Sequence, residues 1–521
     1  MEKKEKRSLF WKFIHGIEVV GNKLPHPFYL FSILIVVAII LSVIFAGATT
    51  SYEKAATSGA VPEVVEVTIK NLLNKDTITY VTKNMYSIYY NFSPMMMMGL
   101  LMLSIGLAEQ VGLFGAFIKR TIGGAKPAVV FAVVSFIAIN ANTASNAGIL
   151  GVTAVSASVF AAMGYNPWLG ILLAYAAGNA GMSANVFVGN LDVLLSGINE
   201  SVCSSLGIDT STVHVLQNWF FMAACAVVLT VVFTWVTTKF VRPYLGEAKD
   251  LSLVRNENAA RELTDIERKA LRASGIAALI YLAVVVAMCI PKNSFFRADD
   301  GSIVPTSPLL QSVLTLLFFF FLVTGIVYGR KAGVIKKWNQ VPSILAKSVE
   351  SMVNFMVIAL PASVFIYLFN ASNIPTYLGA AGGSWLKATG LTGFGLFVLV
   401  ALFSTFLNLF MTSGSSKWMI LAPILIPMLY TIGISPALTT VAYRIGDSAT
   451  NAVAPISSDV ALIVGLLAKY NTDRDKTPGM GTVFAGCMPY AIVTFIVELL
   501  ILAVWWILKL PLGPGVPMLV S

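Results

Sequence analysis

The sequence predicts an all-α polytopic membrane protein: nine transmembrane helices plus two re-entrant hairpins in an inverted repeat, N-terminus in and C-terminus out. Three observations predict it. The 521 residues are 57% hydrophobic and 12% charged, with a mean hydropathy of +0.80, whereas a soluble chain carries about 25% charge. Most apolar runs are long enough to span, but two pairs of half-length arms meet at polar tips. Those two pairs repeat, each followed by a turn and then by an apolar helix interrupted by polar residues.

The chain divides into a basic cytoplasmic N-terminus (1–27), two spans with an external loop (28–118), a first hairpin with a broken third span (127–197), spans four to seven with a cytoplasmic loop at 239–272 (213–369), a second hairpin with a broken eighth span (391–467) and a ninth span (483–508). Span one covers Phe28 to Phe45 and reads as an uncleaved helix, although Ala46-Gly47-Ala48 would suit a signal-peptide cleavage site. Thr49 to Ile88 reads as a mixed polar loop. Span two, Asn91 to Ile118, contains Met95 to Met98, better read as apolar filler than as a soft-metal site.

Pro127 to Met163 holds two arms of about 13 to 15 residues, short of the roughly 20 needed to span. They flank a polar tip, Asn140 to Gly148. Span three, Pro167 to Gly197, is interrupted at Gly178 to Asn185 and then carries Asp192. Spans four to seven are ordinary: Trp219 to Val241, Ala273 to Ile290, Leu309 to Tyr328 and Val349 to Phe369. Leu391 to Ile432 repeats the hairpin with its tip at Thr412 to Trp418. Span eight, Pro436 to Leu467, is broken at Asp447 to Ser458, and span nine runs from Val483 to Leu508.

Laid over each other without a gap, the two units place Thr143 on Thr412, Gly164 on Gly433, Pro167 on Pro436, Gly178 on Asp447 and Asn179 on Ser448. Five crossings separate the hairpins, so the repeats are inverted. Inverted repeats with broken helices mark secondary transporters, whose substrate site lies near the midplane at the repeat interface. Half-helix N-termini aimed there favour an anion.

The net charge of +10 follows from lysines and arginines gathered in segments this topology makes cytoplasmic. It does not signal nucleic-acid binding. No Walker A, HExxH or GxSxG pattern occurs, so neither ATP hydrolysis nor a catalytic centre is expected. An intramembrane enzyme is the rival outside the transporter class. The scattered cysteines and histidines predict no metal site, disulfide framework or cofactor.

Gly21-Asn22-Lys23-Leu24-Pro25-His26-Pro27, Ser413-Gly414-Ser415-Ser416-Lys417-Trp418 and Tyr443-Arg444-Ile445-Gly446-Asp447-Ser448 resemble motifs of the AbgT family of p-aminobenzoyl-glutamate transporters and antimetabolite efflux pumps. The similarity runs from Trp11 to about Leu510. The resemblance implies a homodimer in a bacterial inner membrane, with nine spans and two hairpins per subunit. It implies a small anionic substrate, p-aminobenzoyl-glutamate, or export of sulfonamide antifolates, driven by protons. The wider superfamily moves dicarboxylates, often with sodium held at the hairpin tips. The family's functional positions fall on Asp192, Asn408, Ser416, Trp418, Pro436, Arg444 and Asp447.

Arg444 and Asp447, three apart on one helix face, read either as a structural ion pair or as a carboxylate receptor beside a proton carrier. Asp192, with no basic neighbour in sequence, reads as the freer ion-coupling carboxylate. Trp418 is placed to stack on an aminobenzoyl ring, and Lys417 to snorkel toward solvent. Asn142, Thr143, Ser145 and Asn146 at one tip, and Thr412, Ser413 and Ser415 at the other, joined by Thr450 and Asn451, offer sodium ligands as the alternative to proton coupling. Their plainer role is to pair the tip backbone. Glu109 and Glu498 lie in apolar spans with no role assigned.

Overall fold

A computed structural model describes residues 25–54, 63–123, 126, 129–254, 263–303, 307–389, 393–454 and 457–520. Gly21 to Leu24 of the first motif lie outside them. Helix α1 (Pro27–Ile44) starts where Pro27 takes the first position and His26 Nδ1 accepts from the Phe28 amide at 3.3 Å. The helices Pro27–Ile44, Lys75–Gln110, Trp219–Leu245, Asp265–Cys289, Val313–Lys331 and Met480–Leu508 are long and apolar enough to cross a membrane. A seventh span results if Gln340–Glu350 and Phe355–Ala371, bent by 55°, count as one. The apolar flanks of these helices stay outward: Ile276, Leu279, Leu282 and Val286 on Asp265–Cys289 are all exposed, as a lipid-facing helix requires.

Several elements depart from the sequence reading. The supposed loop from Thr49 to Ile88 contains two antiparallel strands, β1 (Thr49–Lys54) and β2 (Glu63–Thr68), pairing Thr49 with Thr68. It also contains α2 (Lys75–Tyr90), capped by Asn74 accepting from the Thr77 amide at 2.8 Å. The fold is therefore not purely helical. Span two divides at Gly112, whose φ of 87° ends α3 (Ser93–Gln110) before α4 (Leu113–Gly123).

The first repeat unit comprises α5 (Val130–Ile139), a 3-10 turn (Ala141–Ala144), α6 (Ser145–Ala162), α7 (Pro167–Ala180) and α8 (Asn190–Ser205). Then come α9 (Trp219–Val236), continued by a π-turn (Thr237–Val241), α10 (Asp265–Cys289), α11 (Val313–Lys331), α12 (Gln340–Ala371) and α13 (Ile374–Thr389). Among its described residues, the charged 239–272 segment holds short helical pieces at Arg242–Leu245 and Leu251–Leu253 and then the first turns of α10. Helix α13, after Asn373 at φ 61°, answers to no predicted element. The second unit is α14 (Phe394–Asn408), α15 (Gly414–Tyr430), α16 (Pro436–Asn451) and α17 (Ser458–Lys469); α18 (Met480–Leu508) closes the chain.

The two units share their punctuation. Gly164 and Gly433 turn the chain at φ 84° and 85°, a conformation in which glycine avoids a Cβ clash. Asn166 and Ser435 then cap α7 and α16, each ahead of a first-turn proline. Both arms of each unit pack on its broken helix. The breaks lie later than expected. Helix α7 continues to Ala180, and α16 carries Asp447 and Ser448 within its helical turns and ends at Asn451. Asn408 supplies the reason: its amide donates to the Asp447 carbonyl at 2.8 Å and to Asn451 Oδ1 at 2.7 Å, satisfying groups that would otherwise unwind the last turn.

Glycines let each broken helix touch its arm. A Cβ on Gly181 would sit 1.9 Å from the Ile139 carbonyl oxygen, and one on Gly446 2.0 Å from that of Ala401. Gly446→Ala should cost about 1–3 kcal/mol through overpacking. Gly465→Ala, where a methyl meets nothing within 4 Å, should be neutral or slightly stabilising. Thermal unfolding of the detergent-solubilised proteins compares them, and equal midpoints would show that the arm gives way.

Candidate functional site

Both tips and both breaks border one cavity of about 630 Å³. From the first unit come Asn142 at the tip, Met182, Asn185 and Gly189 in the break, and Asn190 and Leu191 at the start of α8. From the second come Thr412 to Ser416, Asn451, Ser457 and Asp459. Met102 of α3 and Phe355 and Ile358 of α12 supply an apolar wall. The N-terminal ends of α8, α15 and α17 thus open on one space. Their partial positive charge suits an anion.

Two ion pairs stand in the core around it. Arg444 Nη1 meets Asp192 Oδ1 at 2.6 Å, with both side chains only 4% exposed. The same guanidinium donates to the Met182 carbonyl, from Nε at 3.0 Å and Nη2 at 2.5 Å. Asp192 Oδ2 accepts from the Gly189 amide at 2.7 Å and from Asn185 Nδ2 at 3.1 Å, which anchors the N-terminus of α8. The second pair joins Lys417 to Asp447, with the ammonium also donating to Asn408 Oδ1.

These pairs correct three sequence readings. Arg444 and Asp447 are not each other's partners, because a closer counter-charge reaches each across the fold. Asp192 is not a free carboxylate: it holds a cation and caps a helix. Lys417 does not snorkel. It is 1% exposed, and a charge so buried needs the compensation Asp447 gives.

The other expected residues separate. Ser416 borders the cavity, with its amide and hydroxyl both bound to Ser413 Oγ, at 3.3 and 2.8 Å. Thr412, Ser413, Ser415 and Asn451 also line it. Asn142 donates to the Gly181 carbonyl, and its Oδ1 has no hydrogen-bond partner among the described residues. Thr143 donates to the Phe187 carbonyl at 3.3 Å, which ties tip to break. The side chains of Ser145 and Asn146 lie outside the described residues. Asn408 lies behind the wall, bracing α16. Pro436 starts that helix away from the break.

Trp418 is fully buried rather than turned to the cavity. It stacks on Tyr443, centroids 4.6 Å apart at 29°, and donates to Asn199 Oδ1 at 2.7 Å. Sequence reasoning gave no role to Asp459, a half-buried wall residue in the first turn of α17, or to Asn199. For Asp459 the signal was present, as a charge inside an apolar run.

The comparisons with known proteins agree with this architecture. The chain is 33% identical over 505 residues, 97% of its own length and 96% of the relative's, to a protein named p-aminobenzoyl-glutamate transport protein from Escherichia coli (strain K12). It superposes on MtrF of Neisseria gonorrhoeae, described as illuminating a class of antimetabolite efflux pumps, with a TM-score of 0.88 and 32% identity over 97% of this chain and all of that one. The YdaH transporter of Alcanivorax borkumensis matches with a TM-score of 0.84 and 27% identity, over 94% of this chain and all of that one. The AbgT putative transporter family matches residues 12–520. A helical multi-pass protein whose repeated tips and breaks enclose one cavity, matched over almost its whole length, belongs to the AbgT putative transporter family.

Proposed function

We propose that the chain is a secondary active transporter that moves p-aminobenzoyl-glutamate, a folate catabolite, across a bacterial inner membrane by alternating access, coupled to the proton gradient. The observation that carries the proposal is the single cavity on which both tips, both breaks and three helix N-termini converge. Its volume of about 630 Å³ falls in the range of roughly 300–1,000 Å³ usual for small-molecule sites. The amides and hydroxyls of Ser413 to Ser416 suit one carboxylate. Arg444, reached by competition with Asp192, suits another. The name of the Escherichia coli relative supplies the substrate. The same reading takes the protein as a homodimer of nine-span subunits whose hairpins re-enter without crossing, N-terminus in, because that topology gathers the basic loops on the cytoplasmic side. Sulfonamide export is the second reading, favoured by the likeness to MtrF.

Reconstitution into liposomes tests it. Labelled p-aminobenzoyl-glutamate should accumulate under an imposed proton gradient and only equilibrate without one. Accumulation under sodium alone would replace the proton and turn attention to the tips around Asn142 and Thr412. No uptake in any of these conditions would sink the named substrate and leave sulfonamides and dicarboxylates to be tried.

A further inference from the structure

One buried carboxylate has been given no task. Glu498 lies in α18 with 0% exposure. A bare carboxylate there loses its hydration unless a cation or donors replace it. Among the described residues, the two buried cations of the core are committed, Arg444 to Asp192 and Lys417 to Asp447. Glu498 Oε1 instead lies 2.5 Å from Ser183 Oγ, and Oε2 has no hydrogen-bond partner among the described residues. Ser183 Oγ in turn contacts Ser448 Oγ. Ser183 belongs to the break after α7 and Ser448 to α16. Each half of the repeat thus contributes one hydroxyl to a short chain that ends on Glu498.

We propose that Glu498 is a proton-carrying carboxylate of the transport cycle, and that Ser183 and Ser448 report its protonation to the two broken helices. The inference rests on the proton-coupled reading above and names a carrier outside the cavity wall. With Glu498 ionised, Ser448 donates to Ser183 and Ser183 donates to the carboxylate. With a proton on Glu498, the acid donates to Ser183 Oγ and the chain reverses. Ser183 then donates to Ser448 or to the Ala180 carbonyl, 3.2 Å away, and Ser448 to the Ile445 carbonyl at 3.5 Å. The proton comes from water on one side of the membrane and is released to the other, and no further bond is made or broken. Ser183 follows Met182, whose carbonyl holds Arg444 and which lines the cavity. The reversal therefore occurs one residue from the carbonyl that anchors Arg444.

The charged and titratable groups on the elements packed against α18 leave Glu498 this part. Helix α16 brings Arg444, whose field reaches Glu498, with Asp447 and Tyr443 held in their own network. Helix α9 brings the buried Cys225 thiol, and α7 brings Tyr175. Helix α17 carries Asp459 and Lys469 near its ends, the π-turn carries Lys239, and α14 carries none. On α18 itself are Cys487 and Tyr490, the latter bound to Thr237 at 2.7 Å.

Two measurements on the full chain test the proposal. The first is pH-difference infrared spectroscopy of purified protein, which needs no substrate. Wild type should show the carbonyl band of a protonated carboxyl that vanishes in E498Q and shifts in S183A. A band unchanged in E498Q, or no such band, overturns the proposal. The second uses proteoliposomes. Wild-type accumulation should rise about tenfold per unit of imposed pH gradient for one coupled proton. E498Q should exchange internal for external substrate but not accumulate it, and E498D should restore part of the drive. Gradient-driven accumulation by E498Q overturns the proposal. If E498Q does not fold, S183A decides: a shifted band with a displaced pH profile of uptake supports the assignment, and wild-type behaviour in both refutes it. If wild type moves no p-aminobenzoyl-glutamate, the substrate reading fails while the infrared band still reports on Glu498.

Discussion

Asp192→Ala is expected to lower stability by about 3–5 kcal/mol, because it strands a desolvated guanidinium in the core. Arg444 keeps the Met182 carbonyl but loses the counter-charge at 2.6 Å. The N-terminus of α8 also loses the acceptor for the Gly189 amide. Asp192→Asn should fall less, since an amide oxygen still caps that amide. Replacing both partners by apolar residues should recover much of the loss, because neither charge is then buried alone. Denaturation of detergent-solubilised protein gives these numbers. A D192A protein as stable as wild type would mean that the pair contributes nothing to the resting state. The same variant probes recognition. Without Asp192, Arg444 has an open fork, so p-aminobenzoyl-glutamate should raise the midpoint of D192A more than that of wild type. A neutral analogue should not. Equal shifts would remove Arg444 from the substrate's reach.

Trp418→Ala should be comparably severe, at about 3–5 kcal/mol, because it empties a fully buried indole site. It also leaves Asn199 Oδ1 and one face of Tyr443 without partners. Trp418→Phe keeps a ring against Tyr443 and loses the hydrogen bond, a change of about 1–3 kcal/mol for the acceptor left unsatisfied. The transport readout separates packing from recognition. A buried Trp418 predicts equal proportional losses for an aromatic acyl-glutamate and for a simple dicarboxylate. A loss confined to the aromatic substrate would return the indole to the binding site.

Long apolar runs and the repeat were legible because both are local. Span length, tip composition and the Gly-then-Pro turn at Gly164–Pro167 and Gly433–Pro436 are read directly along the chain. The cavity was legible in outline for the same reason, since the tips around Asn142 and Ser413 to Ser416 reach it. The pairing of charges was not legible. Sequence spacing favoured Arg444 with Asp447, yet each partner chosen by the fold lies on another element: Asp192 in α8 and Lys417 in α15. Trp418 failed likewise, because nothing along the chain reveals that Tyr443 lies against it. The strands β1 and β2 and helix α13 were hidden by composition. Glu and Lys in the strands, and Gly, Pro and Thr in the helix, imitate loop.

The contacts that cross between the repeat units change how opening and closing must work. Arg444 grips Asp192 and Met182, Asn199 donates to Thr440 at 2.7 Å, and Trp418 donates to Asn199 Oδ1 at 2.7 Å. Such a seam resists parting, since every bond across it would be lost in a place where water cannot replace it. The opposite wall is apolar at Phe355 and Ile358, and dispersion contacts of that kind re-form after a slide at little cost. Toward α12 the first unit is tied at its rim, where Asn370 donates to Ser205 Oγ at 2.5 Å. In the proposed cycle, carrying the cavity across the membrane with both halves moving together costs fewer of these bonds than parting them.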